Sequence, residues 1–237
     1  SHIIMLLLVA FAMIPLVVLA FNSVKTRPDF ASNPLGPPQE IRLQNYPEAW
    51  QESNFGRTAT NSLTLVVATV LSVLTLGGLA SYSIARINPP GSDFVMFYML
   101  VASTIPIWLF MVPLFFMWRN LGLVNTRLGL ILIYTAINLP FAIFLLRTFL
   151  VRVPLEIEEA ALVDGASRLM IFFRVILPIT WTGFLTVGLV VSLAVWGEYQ
   201  IALIMIHDPN LYPITTSYNS FTETFGRDWT LTSAVAV

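Results

Sequence analysis

Cysteine is absent from the 237-residue sequence, histidine occurs only as His2 and His207, and charged residues make up only 11% of the chain. Without cysteine there are no disulfides and no thiolate metal sites, although the absence says nothing about compartment. There is no H-E-x-x-H pair to hold zinc and no G-x-x-x-x-G-K-[ST] loop to cradle phosphate, so the chain does not bind ATP through that motif. A single credible histidine at the end of an apolar run argues against a Ser/His/Asp triad. The formal net charge of −1 argues against nucleic acid, which needs a basic surface. Soluble domains carry roughly 25% charge. With 57% hydrophobic residues and a mean hydropathy of +0.78, this chain cannot cover itself with water-compatible groups and reads as an integral membrane protein.

A helix needs about 20 apolar residues to cross a ~30 Å hydrocarbon core. Ile3–Phe21, Leu63–Ala85, Phe94–Trp118 and Leu128–Leu146 meet that length without a charge, and Ile179–Ile206 does so with one, Glu198. Leu231–Val237 reads as the start of a sixth span, so the expected fold is all-α with six spans, the last incomplete. The start at Ser1 instead of Met and the apolar end lead us to expect that part of both termini is missing. No basic region or small-residue cleavage pattern accompanies Ile3–Phe21, which is therefore taken as a span and not a removed signal. We expect one transmembrane domain over residues 1–237. The polar stretch Asn22–Asn61 holds Pro28, Pro34, Pro37, Pro38 and Pro47, which favour extended or turn structure. Within it, Tyr46 to Trp50 reads as a short turn at the membrane interface, with Tyr46 and Trp50 as belt residues. Ser72, Gly77, Gly78, Ala80 and Ser81 predict a close helix contact in the second span. Arg86 ends that span, and Asn88-Pro89-Pro90-Gly91 is a tight turn. Pro106 and Pro113 predict kinks in the third span.

The stretch Pro154–Pro178, PLEIEEAALVDGASRLMIFFRVILP, is the longest charge-rich segment between spans. Pro154 can open a helix, and Glu156, Glu158 and Glu159 suit the positive end of its dipole. Asp164-Gly165 is a stop signal, and Ser167 can cap a second short helix, Arg168 to Arg174. Pro178 then marks the start of the next span. The segment reads as a helix–turn–helix lying on the membrane surface. Its apolar Ala160, Ala161, Leu169, Met170, Ile171, Phe172 and Phe173 suggest a surface awaiting a partner.

Glu159-Ala160-Ala161, three residues, Gly165, nine residues, Val175, one residue and Leu177-Pro178 together resemble the EAA loop of ABC-importer permeases, with Val175 where the family prefers Ile. The resemblance extends upstream through Leu121–Leu132 and Pro140–Pro154 and downstream to Trp196-Gly197-Glu198-Tyr199, with Gly197 where Asn is more usual. It covers most of the chain beyond about residue 61 and is similar to the MalG-like permease subunit of carbohydrate importers. This resemblance implies the six-helix core of a type I importer in a bacterial or archaeal cytoplasmic membrane. It implies that residues 154–178 form a cytoplasmic loop docking on an ATPase, through Glu159, Ala160, Ala161, Asp164, Gly165, Leu177 and Pro178. The implied partners are a second homologous permease, two ATP-binding subunits and an extracytoplasmic solute-binding protein. The chain itself is then expected to be a transporter subunit for a sugar or related polyol, with no cofactor of its own, ATP and Mg being bound by the ATPase.

Glu198 is the ionisable group inside a span, and such a carboxylate is costly in lipid. Either it lines the substrate path with Trp196 and Tyr199, offering acceptors to sugar hydroxyls, or it is solvated near the outer end of the span and holds a helix contact. A secondary transporter using Glu198 as an ion or proton site, and an importer of another small solute, stay open at this point. The aromatic-rich segment His207–Asp228, with Tyr212, Tyr218, Phe221 and Phe225, is expected to face the binding protein or overhang the solute entrance. With residues 154–178 inside, Arg86, Arg147, Arg152, Arg168 and Arg174 lie inside and Lys25, Arg27, Arg42, Arg57, Arg119, Arg127 and Arg227 outside. That distribution opposes the positive-inside rule, and the orientation rests on the resemblance.

Overall fold

The computed structural model describes residues 2–225 and 228–237. Arg227, counted above among the outer basic residues, and the Phe225 side chain lie outside the described residues. The structure is 79% helical, with no strand among the described residues. In order, the helices are α1 (His2–Ser23), α2 (Arg27–Ser32), α3 (Asn45–Glu52), α4 (Phe55–Tyr82), α5 (Ser92–Thr104), α6 (Met111–Asn120), α7 (Arg127–Leu150), α8 (Leu155–Val163), α9 (Arg168–Ile171), α10 (Leu177–Ile179), α11 (Trp181–Trp196), α12 (Gln200–Met205), α13 (Ile214–Phe225) and α14 (Trp229–Ala236). Wider π-helical turns extend α4 over Ser83–Ile87 and join α9 to α10 over Phe172–Ile176. Among the described residues, three helices are long and apolar enough to cross a membrane, or up to five if each of two bent pairs is one span.

Two compact units form, Ser1–Asn61 with Tyr212–Val237, and Ser62–Leu211. In the first, α14 packs on α1, α3 and α13. Its core joins Ala49, Phe221, Leu231 and Ala234, with Tyr46 and Val235 packed against them. Asn45 organises the proline-rich stretch, its amide donating to the Ser23 and Lys25 carbonyls at 2.9 and 2.8 Å. The Lys25 ammonium is fully buried and donates to Asn22 Oδ1 and the Asn33 carbonyl. Asp228 caps α14 and pairs with Arg27. Burial would raise its carboxyl, but the Thr230 hydroxyl, the Leu231 N–H and the Arg27 guanidinium hold it below its ordinary value.

Three expectations change here. The segment around Pro47 forms the two-turn α3, with Pro47 in its first turn, where the missing N–H has no helical partner to lose. Tyr46 is half-buried and its hydroxyl hydrogen-bonds Ser23 Oγ at 2.8 Å, so it belongs to the unit's interior and not to an interfacial belt; Trp50 stays exposed. Phe221, expected to face a partner, is core. Along α13, Phe221 is buried and Tyr218 is half-buried.

The second unit is built around α7, whose Leu130, Ile133, Tyr134, Ala142, Ile143, Leu146 and Leu150 are buried. The small residues of the second span act as expected. A Cβ on Gly77 would stand 3.2 Å from Ala142 Cβ, and one on Gly78 would stand 2.8 Å from the Phe184 ring and 3.1 Å from that of Phe172. Such close backbone approach is how helices associate where lipid offers no hydrophobic drive. The turn Asn88–Gly91 has left-handed backbone at both ends, φ 47° and 91°.

The third and fifth spans are not the straight helices the apolar runs suggest. The third bends by 88° between Thr104 and Ile107. Pro106 removes a donor there and holds Ile105 extended, at φ −86° and ψ 121°. Pro113, expected to kink the span, lies in the first turn of α6, where proline is tolerated. The fifth divides three ways. Arg168–Ile179 meets α11 at 80°, so Pro178 sits inside the leg before the corner. Thr180 secures the corner, its buried hydroxyl and N–H both donating to the Ile176 carbonyl. A second break, Gly197–Tyr199, separates α11 from α12.

Gly78→Val should lower the melting temperature of the purified chain in detergent, since overpacking of this kind costs about 1–3 kcal/mol. Gly188→Ala is the matched control. Its Cβ would make ordinary contacts at 3.7 and 3.8 Å with Leu74 and Val70, and its melting temperature should be unchanged or slightly higher.

Candidate functional site

The elbow Pro154–Pro178 forms from its own local chemistry. Pro154, at φ −58° and ψ 138°, leads into α8. That helix closes in a Schellman motif: the Gly165 N–H donates to the Leu162 carbonyl and the Ala166 N–H to the Ala161 carbonyl, both at 3.0 Å. Gly165 has φ +82° and an added Cβ would meet nothing within 4 Å, so the demand for glycine there is purely conformational. Ser167 Oγ accepts from the Met170 N–H at 3.3 Å and caps α9. The second leg does not end at Arg174, because the π-helical turn, closed by the Leu177 N–H on the Phe172 carbonyl, carries it on to Ile179.

Glu159, Ala160, Asp164, Gly165 and Pro178 are exposed, while Ala161 and Leu177 are half-buried. Of the five apolar residues expected on the free surface of the second leg, Leu169, Met170 and Phe173 are exposed. Ile171 and Phe172 are buried, and the Phe172 ring lies 5.4 Å from that of Tyr82 and 6.2 Å from that of Phe184. The free surface is therefore narrower than the sequence suggests. Val163, 88% exposed at the end of α8, adds to it.

Glu158 is not a solvated first-turn carboxylate but is buried. Arg86 Nε stands 2.8 Å from its Oε1, and the Tyr82 hydroxyl donates to Oε2 at 3.1 Å. Arg86 Nη2 also donates to the carbonyls of Leu150 and Val153. The first belongs to the last turn of α7, whose carbonyls have no partner within their own helix. Sequence reasoning assigned Arg86 only to the end of a span. The available signal was Tyr82 and Arg86 four residues apart, hence on one helical face; nothing local named Glu158 as their partner.

Glu198 lies in the break between α11 and α12. Its Oε1 accepts from the Ile201 N–H at 2.8 Å, and its Oε2 accepts from the Ala202 N–H at 3.1 Å and the Tyr134 hydroxyl at 2.6 Å. One carboxylate thus caps α12 and ties it to α7. Trp196 is exposed at the end of α11, and Tyr199 is half-buried ahead of α12. The break lies among Trp196, Glu198 and Tyr199, and Tyr134, which the sequence reading missed, bonds Glu198. Close by in sequence, Asn125, at φ 60°, accepts from the His207 and Asp208 N–H groups at 2.9 Å and donates its own N–H to the Met205 carbonyl. Among the described residues, no group of three His, Cys, Asp or Glu could hold a metal ion.

Residues 73–237 match the family described as binding-protein-dependent transport system inner membrane component. The chain is 35% identical over 215 residues to the diacetylchitobiose uptake system permease protein NgcG of Streptomyces coelicolor, covering 91% of this chain and 71% of that one. It is 30% identical to the melibiose/raffinose/stachyose import permease protein MelC of Bacillus subtilis, over 88% and 75% of the two chains. It is 28% identical to the sulfoquinovosyl glycerol transport system permease protein SmoH of Agrobacterium fabrum, over 98% and 81%. The fold matches a chain of a bacterial ABC transporter involved in the import of the acidic polysaccharide alginate, with a TM-score of 0.89 at 20% identity over 99% of this chain and 88% of that one. With the family model spanning more than half of the sequence, the chain belongs to the binding-protein-dependent transport inner membrane components: it is a multi-pass permease subunit of an ABC transporter, not itself an enzyme, that works with an ATPase and a binding protein.

Proposed function

We propose that this permease carries a sugar, an oligosaccharide or a related polyol through a path shared with a second homologous permease, and that residues 154–178 couple it to two ATP-binding subunits. The single observation behind the coupling role is the elbow itself. It presents Glu159, Ala160, Asp164, Gly165 and Pro178 together with apolar side chains on a segment braced at its turn by two hydrogen bonds. An exposed apolar surface on a stiff, charge-rich elbow fits a protein partner better than it fits water. Ala161 and Leu177 complete the docking set. ATP-driven closure of the ATPases would move the docked elbow as a lever, and the two permeases would alternate between inward- and outward-facing states, each ligand biasing that equilibrium.

The carbohydrate class follows from the relatives, three of whose names specify saccharides or a glycosyl glycerol. Trp196, Glu198 and Tyr199 are proposed to lie along the solute path. Because three protein donors already occupy the Glu198 carboxylate, its contribution is to hold the break open in a fixed shape, with Trp196 and Tyr199 offering the aromatic surface. We place the chain as one permease domain in a bacterial or archaeal cytoplasmic membrane, with the elbow inside and Tyr218 of α13 toward the solute-binding protein.

Ala161→Trp and Gly165→Val test the docking. Both should insert normally. Both should then lower transport by about tenfold or more, equivalent to ~1.4 kcal/mol of lost docking or coupling, with the ATPase dissociating on purification or hydrolysing ATP without transport. Gly165→Asn should be mild, since asparagine tolerates the left-handed backbone, and so should Ile157→Ala. Normal assembly and transport by the first two variants would remove the elbow as the coupling element.

For the path, Glu198→Ala should reduce solute uptake about tenfold, because it leaves three donors without their acceptor, and Glu198→Gln should reduce it only two- to threefold, since the amide keeps one oxygen. Equal uptake by all three proteins would end the assignment. Orientation is read by single cysteines at Ser32, Asn210 and Ser167 in a chain that has none. An impermeant thiol reagent applied from outside should label the first two and spare the third.

A further inference from the structure

We propose that Arg86, Glu158 and Tyr82 form a clasp that positions the coupling helix on the spans, and that transmission from the ATPase passes through it. This rests on the docking role of residues 154–178 and adds the joint behind the docked surface. The geometry has three parts. Arg86 lies in the π-helical turn that prolongs α4. Its guanidinium meets Glu158 of α8 at 2.8 Å and donates to backbone carbonyls at Leu150 and Val153, the end of α7 and the link into α8. Side chains of both ionic partners are more than nine-tenths buried, at 4% and 6% exposure. One guanidinium therefore pairs in charge with a carboxylate and, through Nη2, donates to two carbonyls of the neighbouring elements.

The clasp is stiffened from the other leg of the elbow. Tyr82, which donates to Glu158, holds its ring 5.4 Å from that of Phe172 at a tilt of 50°, Phe172 being the first residue of the second π-helical turn. Phe172 in turn packs on Phe184 of α11. Thus α4, α7, α8 and α11 converge on a buried polar knot with an aromatic lid. Wide π turns are frequent at functional positions in helices, and here one of them contributes Arg86 and the other Phe172. Docking on the exposed face of α8 exerts its force on a helix whose opposite face is held by charge. Displacement of α8 must then either carry the ends of α4 and α7 with it or break a buried ion pair. The second is the more expensive course, because a charge left unpaired inside a protein is strongly destabilising. The pair so makes α8 move as one body with two spans instead of swinging on its flanking turns.

The test uses the complete complex of both permeases, the ATPase subunits and the binding protein in proteoliposomes, reading solute transported per ATP hydrolysed. The variants are Arg86→Lys, Arg86→Gln, Glu158→Gln and the double Gln pair. Arg86→Lys keeps the charge and so preserves folding, but a point-like ammonium cannot span the carboxylate and both carbonyls as the fork does. It should assemble with the ATPase at wild-type yield and lower transport per ATP at least about fivefold, the lower end of energies that link distant sites. Glu158→Gln should act alike. The double Gln variant should lose less than the sum of the single losses, because neither partner then leaves a buried charge behind. If Arg86→Gln does not insert, the Lys variant decides. A Lys variant and a Glu158→Gln variant that both assemble and keep the wild-type transport-to-ATP ratio overturn the clasp, even where Ala161→Trp abolishes coupling. Should Ala161→Trp be silent as well, the docking reading has failed with it.

Discussion

A buried ion pair, Arg86 with Glu158, is the constraint on which the junction of α4, α7 and α8 depends. Taking two charges out of water costs several kcal/mol per ion unless geometry and further hydrogen bonds compensate. Here the compensation is explicit. Arg86 donates to the Leu150 and Val153 carbonyls, the first of which also accepts from the Val153 N–H at 3.1 Å, and Tyr82 supplies a donor to Glu158. The polar contacts of Arg86 thus gather the end of α7, the four residues after it and the first turn of α8.

The same logic governs the bends. Non-helical backbone at membrane depth is tolerated only where protein or a wet cavity satisfies it. At Thr180 the repair is the side chain of the corner residue, bonded back to Ile176. At Gly197–Tyr199 it is Glu198, which accepts two N–H groups of α12 and the Tyr134 hydroxyl of α7. A carboxylate is an apt choice there because the first N–H groups of any helix have no internal partner and favour negative charge. The charge that sequence inspection flags as an anomaly is thus local chemistry serving a break, and the break takes Tyr199 out of the helical surface pattern.

Much of this was legible beforehand. The long apolar helices α1, α4 and α7 follow from composition, and the elbow from Pro154, Gly165 and Ser167, each of which acts locally and each of which behaves as its residue type requires. Gly77 and Gly78 announced a close contact and make one. What was not legible depends on long-range pairing. Glu158 reads as a first-turn carboxylate like Glu156, and only the fold distinguishes them by bringing Arg86, 72 positions upstream, against one and not the other. Phe172 and Phe173 are identical neighbours, yet one is core and the other surface. Pro106 and Pro113 carry the same rule, but only the first lies where a helix would have needed its N–H.

That difference bears on how a permease of this kind transmits force. Local signals build parts that are stiff in themselves: a capped helix, a Schellman turn, a proline corner. Stiff parts transmit motion only if joined, and in this unit the joints are made by polar side chains reaching between elements. Arg86 bridges α7 and α8, Tyr134 reaches across the break at Glu198, and Asn125 gathers the His207 and Asp208 N–H groups. Apolar packing fills the space among the helices but, being non-directional, permits one helix to slide on the next. Hydrogen bonds and ion pairs in a low-dielectric interior do not, since a small slip forfeits the bond and leaves its partner unsatisfied. Polar joints such as Arg86 and Glu198, set where helices end or break, therefore fit helices whose ends move together.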